Sequence, residues 1–417
     1  MFKKPVAEID RTDIQRLVDE SVQEGGDIEF KRELPGRRDG TPDAWMTGGG
    51  EIGDRAKQEV VEEVIAFANT HGGTLLVGIE ETRDRPPRAS TIAPVPRCAE
   101  AAERFRMVCR DTIDPRLPTL EVVGVPTQDD GAGVIVFQVP QSRMAPHRHT
   151  QTLHCYRRHG ESSEKMNMRE IQDLTLQVER GIALIEERFR QRADAFFARL
   201  QSDSTTKACW YALRSTLIPL SPINARRLRR DDPLLPRFQK FQATVEGTPT
   251  ELFVPRSLVP WRPGMRAMTA SNGDERYSVR CEVTSDGLIE FVVSRGQADP
   301  GDSAFYPEWF MGLVANSLIA AERFRVGVGS PDVEYGLELE IRVQPSAVPI
   351  TNYGPDRGPA SHCGELPAQR NIFPRYSVGP SEEFTELASE IEIDLWNLAG
   401  EYVEVGIVID FDEALRS

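Results

Sequence analysis

Apolar and polar positions change period several times along the chain, and each change marks an element. Ile14, Leu17 and Val18 share a helical face behind Thr12-Asp13, which predicts a short amphipathic helix from Arg11 to Asp19. After a turn at Glu24-Gly25-Gly26-Asp27, the run Ile28-Glu29-Phe30-Lys31 alternates apolar with charged residues, as a strand with one buried face does. Glu29 and Lys31 then share the other face. Residues 34–53 are rich in Gly, Pro and Asp, hold no period and read as a mobile loop. From Lys57, positions Val60, Val61, Val64, Ile65 and Ala68 trace a helix closed by Gly72-Gly73. The apolar run Thr74 to Ile79 follows as a buried strand ending on Glu80 and Glu81.

Ala102, Phe105, Cys109 and Ile113 predict a further helix before Pro115, followed by strands Leu120 to Val125, Val134 to Val139 and Leu153 to Arg157. Between Arg169 and Leu200, apolar residues recur in steps of three and four, which predicts one long helix with Gly181 as its candidate break. Beyond it the pattern shifts to short strands. A hairpin is expected over Tyr277 to Val293, a helix over Trp309 to Phe324 and a closing strand over Tyr402 to Ile409, with residues 351–380 loop-like. The fold class is α+β: an N-terminal mixed α/β domain (1–176), a connecting helix (177–205) and a mixed α+β domain (206–417) that senses a trigger or binds a partner.

Length agrees with more than one core, because single cores stop growing beyond roughly 250 residues; this chain has 417. Its six cysteines are scattered without a C-x-x-C pair, as reduced thiols are. No apolar run approaches the roughly 20 residues of a membrane span, and the first residues lack a secretory signal, so a soluble, cytoplasmic protein without a membrane partner is expected. A net charge of -15 repels polyanions on average, so nucleic-acid binding requires a local basic face.

No G-x-x-x-x-G-K-[ST] or G-x-S-x-G motif is present and no G-x-G-x-x-G follows a strand, which removes the usual footholds for phosphate-loop, hydrolase and dinucleotide chemistry. What remains is Glu24, Glu29, Glu80 and Glu81, with Lys31 beside them. Carboxylate oxygens suit hard divalent cations, and phosphodiester hydrolysis uses such cations, although charges at strand ends are more often a solvated face. A second cluster, Arg143, Arg148, His149, Tyr156, Arg157, Arg158 and Lys165, offers cations and an aromatic ring to a phosphate backbone and an unstacked base. Four histidines and Cys155 fall in the same segment, but their spacing matches no common finger, and structural zinc is not expected.

The blocks Glu24, Glu29-Phe30-Lys31, Ile65-Ala66-Phe67-Ala68-Asn69-Thr70-His71-Gly72-Gly73-Thr74-Leu75-Leu76-Val77-Gly78-Ile79 and Tyr156-Arg157-Arg158-His159-Gly160 follow one another in an order that resembles the Schlafen AlbA-like family. The resemblance covers roughly residues 12–176. It implies a nucleic-acid-handling domain and, by analogy with RNA-cleaving members, a carboxylate site of Glu24, Glu29 and Glu81 holding Mg²⁺ or Mn²⁺, with Lys31 on the scissile phosphate. Glu81 stands where those members carry aspartate. The family's Asn-Thr-x-Gly-Gly block makes Asn69 a cap that pins its helix to the next strand.

The leading expectation is therefore a metal-dependent endoribonuclease acting on structured RNA such as transfer RNA, in a bacterial antiviral or stress role, either alone or with other subunits of a defence assembly. Since the resemblance implies a two-lobed groove and this chain has one copy, a homodimer is expected, with the long helix near its interface. The alternatives are a non-catalytic nucleic-acid-binding regulator and a nucleotide-binding or ATP-hydrolysing protein.

Overall fold

The protein was analysed as a computed structural model that describes residues 6–38, 40–117, 120–160, 162–202, 209–223, 227–245, 247–254, 256–258, 260–273, 277–296, 304–331, 333–344, 346–353, 362–402 and 406–416. Helix and strand contents are about equal, and the fold class is α+β. The chain forms two compact units, Met1–Ala183 and Leu184–Ser417.

The first unit starts with α1 (Arg11–Asp19), whose N-terminus is closed by Asp10 accepting from the Thr12 and Asp13 amides. Next come β1 (Ile28–Lys31), α2 (Asp54–Ala68), β2 (Gly73–Val77), β3 (Ile79–Glu81) and β4 (Ala89–Ile92). They are followed by α3 (Cys98–Thr112), β5 (Ile113–Asp114), β6 (Glu121–Pro126), β7 (Gly133–Val139), β8 (Arg148–His149), β9 (Tyr156–His159) and β10 (Ser162–Lys165). One sheet, in the order β1-β2-β7-β6, is parallel between β1 and β2 and antiparallel elsewhere.

Both faces of this sheet are covered, which is why β2 and β7 read as unbroken apolar runs. Leu75, Val77, Ile135 and Phe137 pack with Val60, Val64 and Phe105 of α2 and α3. Leu76, Val134 and Val136 instead join Ile28, Phe30, Ile14 and Leu17. The period of two in β1 therefore sends Ile28 and Phe30 to the α1 side and leaves Glu29 and Lys31 to the other.

Two glycines fix the path around β2. Gly73 has φ 154° and lies so close to Phe67 that a Cβ would sit 2.4 Å from its ring. Gly78, at φ 112°, ends β2 and lets β3 leave the main sheet to pair with β4. The Thr74 to Ile79 strand expected from the pattern is thus two strands with a turn between them.

The segment 34–53 is not a mobile loop in its entirety. Asp43 accepts from the Trp45 and Gly53 amides, Trp45 is fully buried, and the Arg97 guanidinium lies 3.6 Å above its ring centre. A single anchoring residue carries no period, so the pattern could not reveal it. The strand expected from Leu153 begins at Tyr156, because Leu153 takes a left-handed turn conformation with φ 60°.

The helix α4 (Met168–Ser202) runs without interruption through Gly181. In the second unit an eight-stranded sheet carries, in spatial order, Trp261–Gly264, Ala267–Gly273, Tyr277–Thr284, Ile289–Gly296, Cys209–Pro219, Tyr335–Val343 and Arg370–Ile372, with Tyr376–Val378 also paired to Tyr335–Val343. One face packs Leu213, Phe291, Leu339 and Ile341 with α5 (Pro307–Gly327), which is buried almost all round. The other face carries charge, with Arg214 bound to Glu338 at 2.6 Å and Glu340 at 2.8 Å. Arg192 of α4 reaches Glu282 there at 2.8 Å.

Residues 351–380 are not wholly loop-like: His362–Leu366, Arg370–Ile372 and Tyr376–Val378 are strands. A helix, α6 (Phe384–Leu398), follows them. The closing strand is confined to Val408–Ile409, and residues 403–405 of that expectation lie outside the described residues. The side chains of Cys209 and Trp210 also lie outside them. Cys98, Cys109, Cys155, Cys281 and Cys363 are free thiols.

Candidate functional site

The first unit brings the family-implied carboxylates into one electrostatic neighbourhood but gives them unequal surroundings. Glu24, at the start of the turn before β1, is 5% exposed, and its carboxyl accepts the Phe30 amide at 2.7 Å. Burial, together with repulsion from Glu29 and Glu81, pushes the Glu24 carboxyl up to about 8, although the Phe30 amide pulls it down. Glu24 also shares a side-chain hydrogen bond with Glu81.

Glu81 is exposed at the end of β3, where β3 pairs with β4. Its neighbour Glu80 points to a different partner, the Arg32 guanidinium at 3.2 Å. Glu81, and not Glu80, is among the groups that act on the Glu24 carboxyl.

Glu29 is not an open carboxylate. One oxygen accepts from the Arg158 guanidinium at 2.9 Å and the other lies 3.5 Å from the Lys31 ammonium. Glu63 of α2 is a second partner to both cations, at 3.1 Å from Arg158 and 3.2 Å from Lys31, and it also accepts the Ser163 hydroxyl. Burial and repulsion from Glu63 raise the Glu29 carboxyl, with Lys31 and Arg158 opposing. For Glu63 burial acts in the same upward sense, but Lys31, Ser163 and Arg158 outweigh it and the net shift is downward. Lys31 is held above the ordinary lysine value, since Glu63 and Glu29 outweigh its burial.

These contacts define the surroundings of both residues. Glu29 is the acceptor of a buried ion cluster, and Lys31 is engaged with carboxylates. Glu63 and Ser163 escaped the sequence reading. The available signal was weak: Glu63 lies beside Val64 and three residues after Val60, at the border of the buried face of α2.

The basic segment 143–169 also divides. The Arg158 side chain is 1% exposed, stacks 4.7 Å above the Phe67 ring and donates to the Gly25 carbonyl. Tyr156 and His149 are buried as well, the Tyr156 hydroxyl donating to Glu62 at 2.5 Å. These three side chains are packed into the fold. Arg148 is exposed but paired with Asp114 at 2.8 Å, and Arg157 lies 3.9 Å from Glu170. Lys165 is exposed on β10 and Arg143 is half-buried.

Asn69 ends α2, yet its side chain reaches neither helix nor next strand. Its amide nitrogen donates to the His147 and Tyr156 carbonyls at 2.9 Å each, and its oxygen accepts the His147 amide at 2.7 Å. Asn69 thereby holds the segment that delivers Arg158. Among the described residues no three His, Cys, Asp or Glu side chains gather so as to hold a metal ion.

Residues 24–167 match the family described as Schlafen, AlbA_2. The first unit carries a Schlafen AlbA_2 domain. A solved structure similar to part of the chain is that of the N-terminal domain of a RecG-related protein, titled an ATP-dependent DNA helicase, from Nitrosomonas europaea. The identity is 24%, with 38% of this chain and 95% of that chain covered and a TM-score of 0.24. No curated protein matches the chain. The AlbA_2 match spans β1 to β10 and so contains the Glu24–Glu81 pair and the ion cluster around Glu29.

Proposed function

We propose that the AlbA_2 domain handles nucleic acid and is a divalent-cation-dependent endoribonuclease acting on structured RNA, with transfer RNA as its model substrate. The observation that carries this reading is the Glu24–Glu81 carboxyl pair, one member buried and pushed up to about 8. Titratable groups so strongly perturbed cluster at functional sites.

A pair of carboxyls fits Mg²⁺ or Mn²⁺ better than a closed cage does, because Mg²⁺ keeps several waters and takes one or two protein carboxylates plus substrate phosphate oxygens. Glu24 and Glu81 are the residues that would hold it. Once bound, such a cation supplies charge neutralisation at the scissile phosphate. Glu29 acts behind them: with Arg158, Lys31 and Glu63 it fixes β1 against α2 and thereby the position of Glu24, whose carboxyl is tied to the Phe30 amide. The second unit would serve as a sensor or partner-binding domain, and a homodimer through α4 would complete the nucleic-acid groove. Family analogy supports a place in antiviral defence or stress response.

The second reading, a nucleic-acid-binding regulator without catalysis, is favoured by the capping of Glu29 by Arg158 and Lys31. Incubating purified protein with total transfer RNA and Mn²⁺ separates the two. Cuts that disappear in Glu81→Gln support the nuclease. RNA bound but left intact by the wild-type chain supports the regulator.

A further inference from the structure

The loop joining β3 to β4, residues 82–88, carries Arg83, Arg85 and Arg88 against a single acidic residue, Asp84. All three arginines are exposed. The base of the loop is closed by the Thr82 amide donating to the Arg88 carbonyl at 2.8 Å and the Arg88 amide donating to the Thr82 hydroxyl at 3.2 Å. It is also stapled to the carboxyl pair. The Glu24 amide donates to the Pro87 carbonyl at 2.9 Å, and the Arg88 guanidinium donates to the Ser21 carbonyl and the Gln23 side chain. Glu81 is the residue immediately before the loop.

A carboxyl pair repels the phosphate it must accept, so cations have to stand close by. Lys31 and Arg158 cannot fill this role, being bound to Glu29 and Glu63. Arg148 is paired with Asp114. By contrast, among the described residues no ion-pair partner stands at Arg83 or Arg85.

We propose that residues 82–88 form the RNA-backbone arm of this site, with Arg83 and Arg85 contacting phosphates on either side of the position faced by Glu24 and Glu81, and Arg88 bracing the loop. This rests on the nucleic-acid reading of the domain but not on catalysis, since the arm binds whether or not the site cuts.

The test is binding of a fluorescein-labelled transfer RNA transcript in EDTA, measured by anisotropy from roughly 50 to 200 mM salt, the range over which phosphate contacts reveal themselves. Arg83→Ala/Arg85→Ala is expected to weaken binding about tenfold or more and to flatten the log affinity against log salt slope by about 1.5. Arg83→Lys/Arg85→Lys should retain most of the affinity, showing that charge and not folding was lost. Lys57→Ala/Arg110→Ala serves as a control for net charge. Loss confined to the loop variant supports the arm. A loop variant with unchanged affinity and slope overturns it while leaving the nuclease reading intact, and a wild-type chain that binds no RNA overturns both.

Discussion

The Arg158 guanidinium lies 2.9 Å from the Glu29 carboxylate, although 129 positions separate the two residues in the chain. Their contact closes the AlbA_2 domain: it joins β9, near the end of the domain, to β1, near its beginning. With the Arg158 side chain 1% exposed, removal of one partner leaves the other charged and buried. Arg158→Ala is expected to destabilise the first unit by about 3–5 kcal/mol, a typical loss on breaking a buried pair. Urea denaturation monitored on this unit checks it, and a loss below about 1 kcal/mol, the range of exposed pairs, would place the cluster in solvent.

Asn69 holds the same segment by three hydrogen bonds. Asn69→Ala leaves the His147 amide and two carbonyls buried without that partner, so a cost on the order of 2–3 kcal/mol is expected. Asn69→Asp should be little better, since a carboxylate cannot donate to the two carbonyls. If Asn69→Asp matches the wild type in thermal stability, the assigned hydrogen bonds are not those that matter.

Glu24 makes stability depend on pH. Its carboxyl is raised from 4.5 to about 8, so the folded state keeps a proton that the unfolded state has lost. Between these two values stability falls as pH rises, and above the upper value it levels off. Glu24→Gln, neutral throughout, should flatten this descent. Melting curves from pH 5 to 9, a window of about four units around that transition, decide the matter. A wild type and variant with parallel profiles would show that Glu24 titrates normally.

Cation binding is coupled to the same proton. Ligating carboxylates must be deprotonated, so Mn²⁺ entering the Glu24–Glu81 pair should expel a proton near neutral pH. Calorimetry in two buffers of different ionisation enthalpy should give different apparent heats, and the difference should vanish in Glu24→Gln. Identical heats for the wild type in both buffers would remove Glu24 from the cation site.

Much of this domain was legible in the chain. α1 and β1 fall where the period placed them, because their buried faces show as regular spacing. The neighbourhood of Glu24 and Glu81 came through resemblance, since nothing in a strand-end glutamate distinguishes a ligand from a solvated charge. What was illegible is long-range. Arg158 looks like a surface cation in Tyr156-Arg157-Arg158, and only the folded partner set of Glu29, Glu63 and the Gly25 carbonyl turns it inward. Arg83 and Arg85 were passed over for the opposite reason: a short loop has no period, and its importance comes from the backbone bonds that tie it to Glu24. The single buried anchor Trp45 escaped in the same way.

The most direct test of the central claim is the fate of transfer RNA and single-stranded DNA incubated with the purified full-length chain in Mn²⁺, in EDTA, and with Glu24→Gln and Glu81→Gln in Mn²⁺. The account predicts discrete RNA cuts that require Mn²⁺ and are reduced about 100-fold or more in each variant, the scale of a lost electrostatic contribution to the transition state. RNA left intact by wild-type protein that binds it, or cuts of equal rate in EDTA and in both variants, would contradict it.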